Sequence, residues 1–282
     1  MLNHGLLYLE HLSDRDLELM ADVAAIGVLV RADLRNQPET LDELLGVPGL
    51  FESLFGDDPV VELGVTPFLI FAALVNQAAR DLRSSSHFPE WVGTGQRLPV
   101  FDSSTLTALV EDAVRRYFLI EFLASFTTVA SGSTWVRTER GYRRRRWSEL
   151  DPVTMSQMVD GLPASARAAG YRRLGDVALF LSGVFPDHTT RHPLGETSRA
   201  RLAASAGVEL ADVEDEGEMR FLEVIGSRWY DKAVESADTL AVGGLSHLSD
   251  MARHFTDARR FLNYLTDRYL HRLDTGLMHP AA

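Results

Sequence analysis

The sequence predicts a mainly α protein, a single multi-helix globular domain with one small exposed β-hairpin at about residues 133–147. Three observations predict it. Apolar residues recur at helical spacing, as in the stripe Leu248, Met251, Phe255, Leu262 and Tyr269. Thr66-Pro67 and Asp151-Pro152 each place a capping side chain before a proline, a start signal for helices because proline's missing N–H is unused in the first turn. Only residues 131–151, SGSTWVRTERGYRRRRWSELD, read as a strand pair.

The elements follow in order. Ser13 caps a first helix through ELMADVAAIGVLVRADL, which stops before the breaker at 36–38. Short helices are expected at 40–45 and 49–55. The helix from Pro67, PFLIFAALVNQAARDL, starts apolar nearly all round and belongs inside a helical assembly. Residues 83–99 read as a Ser-, Gly- and Pro-rich loop. Asp102 to Ser104 cap one long helix reaching about Val129. Within the hairpin, Glu139-Arg140-Gly141 fits a three-residue turn. Helices follow from Asp151 to about Asp160 and from Pro163 to the residues before Pro186, then a polar loop at 186–195. The last helices are expected at 197–205, 216–236 and 246–272. The domain spans 1–282, with two lobes (1–130 and 150–282) flanking the hairpin.

Composition narrows the function. The 282 residues contain no cysteine, which excludes disulfides, thiolate metal sites and thiol nucleophiles. No apolar run approaches bilayer length, so no membrane association is expected. The N-terminus has no signal-peptide pattern, and a cytoplasmic protein is expected. The net charge of -12 opposes general nucleic-acid binding, since its field repels phosphates. Lys232 is the one lysine in a chain whose other basic residues are arginines.

The hairpin concentrates Arg137, Arg140, Arg143, Arg144, Arg145 and Arg146 against that acidic background, interleaved with Trp135, Tyr142 and Trp147. Guanidinium groups bind carboxylates and phosphates bidentately, and aromatic faces stack on cations or bases. The plainest partner is acidic surface of the same chain or of a second protomer. An acidic protein or anionic small molecule comes next, and nucleic acid last. This reading makes the protein a non-enzymatic interaction protein, with a homodimer as a candidate assembly.

A second reading places a pocket between helices, for an enzyme or small-molecule sensor. Glu121 lies in the apolar run YFLIEFLASF, where burial would raise its pKa. Asp176 lies three and four residues after Arg173 and Arg172, the spacing of a helical ion pair. Gly175, Ala178 and Ser182 form a small-residue face suited to close helix packing. His247, Asp250 and His254 share one helix face, but their spacing is not that of known zinc or di-iron helices, and His188 and His192 beside Asp187 are no stronger. No metal, cofactor or catalytic residue is therefore assigned. Glycine-rich phosphate loops and the G-x-S-x-G elbow are absent from the sequence.

The blocks PFLIFAALV (67–75), FLASFTTVASGSTWVRTERGYRRRRWSELDP (122–152) and YRRLGDVALFLSGVFPDH (171–188) resemble a group of mostly actinobacterial hypothetical proteins with no assigned activity. The resemblance spans most of the chain and implies an intracellular bacterial protein, with no mechanism to carry over.

Overall fold

The computed structural model describes residues 4–24, 34–36, 40–56, 64–138, 141–237 and 242–271. Over these residues the protein is mainly α, with two small two-stranded antiparallel sheets. No described helix is long and apolar enough to cross a membrane. The chain divides into two compact units. The first comprises residues 1–88, 99–127 and 264–282, and the second 89–98 and 128–263.

The first unit opens with α1 (His4–Leu9) and α2 (Asp14–Val23). Ser13 caps α2 through a reciprocal box: its hydroxyl accepts from Asp16 N, and the Asp16 carboxylate accepts from Ser13 N at 2.8 Å. The expected continuation of α2 beyond Ala24 falls largely outside the described residues. Next come α3 (Leu41–Leu45), α4 (Pro48–Phe55) and α5 (Pro67–Ser84). Helix α5 starts as its sequence signal predicts, with Thr66 Oγ1 accepting from Leu69 N and proline in the first turn. It buries Phe68, Leu69, Phe71, Ala72, Leu74, Val75 and Leu82, and so forms the middle of this unit.

The long helix expected from 102 to 129 is two helices, α6 (Ser104–Glu111) and α7 (Ala113–Ser125). Asp112 breaks it. Its backbone is extended and its carboxylate accepts from Val114 N and Arg115 N, restarting the chain as a new helix.

The second unit holds both hairpins. Residues 83–99 do not form a loop: β1 (Phe88–Gly93) pairs with β2 (Gln96–Val100), strands that straddle the boundary of the unit at their outer ends. The reversal uses Gly95 at φ 68°, a left-handed conformation that glycine adopts without steric cost. The arginine hairpin forms where expected, as β3 (Ser131–Thr138) and β4 (Gly141–Ser148). Thr138 pairs with Gly141, so two residues rather than three lie between the paired ends. Glu139 and Arg140 are outside the described residues.

The helices of this unit are α8 (Pro152–Asp160), α9 (Ala164–Gly183), α10 (Pro186–Arg191), α11 (Glu196–Ala206), α12 (Glu218–Glu235), α13 (Val242–Arg253) and α14 (Phe255–Leu265), whose last turn belongs to the first unit. Residues 186–191, expected as loop, are helical because Pro186 supplies a preset first turn. The helix expected at 246–272 is interrupted at His254 and ends in a π-turn over Thr266–Leu270.

Helices α9 and α12 pack closely through small residues. A Cβ on Gly175 would lie 2.5 Å from the Tyr230 ring, and one on Gly226 would lie 2.4 Å from Phe255 and 2.9 Å from Ala178. The small-residue face read from the sequence is thus a helix-packing face.

Candidate functional site: an unneutralised arginine ribbon

The base of the arginine hairpin is clamped. Glu149 N donates to Ala130 O at 2.9 Å, and the Glu149 carboxylate accepts from Ala130 N at 3.0 Å. The same carboxylate pairs with Arg173 of α9. Burial pushes the Glu149 pKa up, but the Arg173 and Ala130 hydrogen bonds outweigh it and hold the group below the usual range. Asp151 then accepts from Val153 N and Thr154 N and caps α8. The ribbon therefore leaves a fixed root.

Register sorts its side chains. Arg137 pairs with Tyr142, Trp135 with Arg144 and Ser133 with Arg146. Directly paired residues share a face, and residues two apart along a strand return to it. Trp135, Arg137, Tyr142, Arg144 and Arg146 thus form one face, in which each aromatic ring stands opposite a guanidinium. Trp135 is 68% exposed and Tyr142 71%, far beyond what a core-facing aromatic would show. Arg144 Nε donates to Ser133 Oγ at 2.8 Å, which steadies that side chain on the strand surface.

Arg143 lies on the opposite face and is also exposed. Trp147 differs from the other aromatics. It is half-buried and lies over Gly132, where a Cβ would come within 2.9 Å of its Nε1. It is a packing residue of the ribbon root. Arg145 is placed by its backbone pairing with Thr134.

Among the described residues, no carboxylate pairs with Arg137, Arg143, Arg144 or Arg146. The expectation that acidic surface of the same chain covers these arginines is therefore not met over the described residues. Elsewhere the arginines are largely spoken for. Arg259 binds Glu223 at 2.5 Å, Arg260 binds Glu90 at 2.5 Å and Arg199 binds Glu218 at 3.1 Å. Among the described residues, most arginines outside the ribbon pair with a carboxylate, and Arg137, Arg143, Arg144 and Arg146 do not.

The alternative pocket residues are divided between the two units. Glu121 lies in the first unit and is half-buried; the buried members of α7 are Phe118, Leu119, Ile120, Phe122 and Leu123. The apolar run overstates its burial because its position on the helix, not its neighbours in sequence, decides exposure. Asp176 is buried and accepts from Tyr230 OH at 2.9 Å, with Arg172 at 3.9 Å and Arg173 at 4.0 Å. Burial and the Asp176 charge raise the Tyr230 pKa well above its ordinary value, so the phenol stays a donor. His254 stands 3.8 Å from Asp250 and 3.7 Å from Asp257. Among the described residues no group of three potential ligands is arranged to hold a metal ion.

Among the described residues of the second unit, two cavities are seen, and neither is lined by Asp176 or His254. One of about 430 Å³ is lined by Ser156, Gln157, Asp160, Tyr171, Arg201 and Lys232, among others. Lys232 donates to Ser205 O at 2.6 Å and so serves the C-terminal end of α11. A smaller one of about 210 Å³ is bordered by His188, His192 and Glu218. The His188 and His192 rings lie 4.4 Å apart at a tilt of 33°, and burial raises the Glu218 pKa against the Leu194 and Arg199 contacts.

No protein-family model, curated protein or solved structure matches this chain.

Sequence reasoning missed one charged feature. Glu209, Asp212, Glu214, Asp215 and Glu216 are exposed on the turn between α11 and α12, and among the described residues none makes a side-chain ion pair. The signal was present in VELADVEDEGE, but a charge run between helices reads by default as a solvated linker.

Proposed function

We propose that this protein is a non-enzymatic interaction protein whose arginine ribbon docks on an acidic protein surface. One observation carries the reading: Arg137, Arg144 and Arg146 share an exposed face with Trp135 and Tyr142, and no described carboxylate neutralises them. Free guanidinium groups supply paired hydrogen bonds to carboxylates, and exposed Trp and Tyr supply the apolar contact that anchors an interface. The clamped root favours binding because little order is lost on docking.

The net charge of -12 favours an acidic polypeptide over nucleic acid. A flexible acidic chain can meet the ribbon locally, whereas rigid duplex nucleic acid must also approach the repulsive remainder of the surface. The enzyme or sensor reading has less support, because neither cavity described above is lined by Asp176 or His254.

The test is titration of the full chain with poly-L-glutamate at low salt, alongside the variant Arg144→Glu/Arg146→Glu. The wild type should bind, and the variant should lose about tenfold or more in affinity with unchanged far-UV circular dichroism. Equal binding by the two proteins would sink the proposal. Tighter binding of single-stranded oligothymidine than of poly-L-glutamate would redirect it to nucleic acid.

A further inference from the structure

We propose that the acidic surface taken by the ribbon is the turn at residues 209–216 of a second copy of this chain, in a two-fold dimer. This rests on the docking reading above and names its partner.

The turn is built to face outward. Val213 is buried beneath it at 2% exposure, and Leu210–Asp212 form a single 3₁₀ turn. Arg199 Nη2 donates to Val213 O at 2.7 Å and to Glu216 O at 2.9 Å, while its guanidinium lies 4.0 Å from the Phe221 ring centroid. The backbone carbonyls are thereby satisfied from within. The side chains of Glu209, Asp212, Glu214, Asp215 and Glu216 are left exposed, with no ion pair among the described residues.

Ribbon and turn are of opposite charge and belong to the same compact unit, yet no ion pair joins them within the chain over the described residues. A two-fold axis converts this into two equivalent contacts, each ribbon on its partner's turn. Arg137, Arg144 and Arg146, which share one face, then meet five carboxylates. Trp135 and Tyr142 exclude water at the contact, without which exposed ion pairs contribute little.

Symmetry also supplies a decisive test by sedimentation velocity on the full chain. Arg144→Glu/Arg146→Glu reverses two of the three arginines on the aromatic face, so that face and the turn are both negative. Asp212→Arg/Glu214→Arg/Asp215→Arg reverses three of the turn's five carboxylates, so turn and ribbon are both positive. The wild type should dimerise, and each variant alone should show a dimer dissociation constant raised about tenfold or more. An equimolar mixture of the two should recover a heterodimer, because both of its contacts are complementary. The neutral pair Arg144→Gln/Arg146→Gln should weaken the dimer in the same direction with less disturbance of folding.

A monomeric wild type, variants that dimerise like wild type, or a mixture that stays monomeric would each overturn the dimer. A monomeric wild type that still binds poly-L-glutamate through Arg144 and Arg146 removes only this inference. Loss of that binding removes the docking reading as well.

Discussion

Asp16 shows how much one carboxylate holds in this fold. It is fully buried and accepts from Ser13 N at 2.8 Å, from Ser13 Oγ at 2.9 Å and, across the unit, from Thr66 N at 3.0 Å. It therefore fixes the start of α2 and the approach to α5 together. Asp16→Ala leaves buried donors without partners and should cost about 2–4 kcal/mol, read as a lowered midpoint in chemical denaturation. An unchanged midpoint would contradict this assignment. Asp187 does similar work in the second unit, accepting from Trp91 Nε1 at 2.7 Å and Gly95 N at 3.2 Å. Burial would raise its pKa, but these hydrogen bonds and the charges of Arg97 and Arg191 hold it below the usual value. A depressed folded pKa gives stability that is complete above the unfolded value of about 3.9 and is lost as pH falls through the folded value. Thermal melts between neutral and acid pH should show a flatter acid limb for Asp187→Asn than for wild type, and superimposable limbs would remove Asp187 from the account. At this scale the caps were legible in sequence. Ser13, Thr66 and Asp151 act on backbone only two or three residues away, so local chemistry decides them. Glu121 was not, because its burial depends on which side of a helix meets a neighbour; for Asp176 the pairs with Arg172 and Arg173 were legible and the Tyr230 hydroxyl was not.

At the scale of elements, the close contact of α9 with α12 depends on glycine for space rather than for backbone freedom. Gly175→Ala would drive a methyl into the Tyr230 ring, with its neighbour Asp176 holding the Tyr230 hydroxyl. Overpacking of this kind should cost about 1–3 kcal/mol, measured by denaturant titration. A variant as stable as wild type would show that the helices can separate freely. The ribbon makes a different demand: Gly132 must stay small so that Trp147 can lie over it. The arginine hairpin was legible because charged and aromatic residues crowd two short runs around a glycine. The β1–β2 hairpin was hidden by Pro89, Ser-rich flanks and short strands, although Gly93-Thr94-Gly95 marked its turn. The break at Asp112 was missed because periodicity continues across it, while the carboxylate captures the next two amides instead of continuing the helix.

On the scale of the whole molecule, the mainly α fold followed from the spacing of apolar residues and the proline-marked helix starts. What periodicity could not show was where charge stays uncompensated, since pairing depends on residues far apart in sequence. Glu90 meets Arg260, and Glu149 meets Arg173, only in the folded chain. That comparison sets the ribbon apart: the ion-paired guanidinium groups serve the fold, and among the described residues Arg137, Arg143, Arg144 and Arg146 make no ion pair. The most direct measurement of this is arginine modification by phenylglyoxal in dilute solution, followed residue by residue by mass spectrometry. The account predicts that Arg137, Arg143, Arg144 and Arg146 react well ahead of the paired Arg173 and Arg259, and that poly-L-glutamate protects Arg144 and Arg146. Ribbon arginines reacting as slowly as Arg173 and Arg259, or unprotected by poly-L-glutamate, would contradict it.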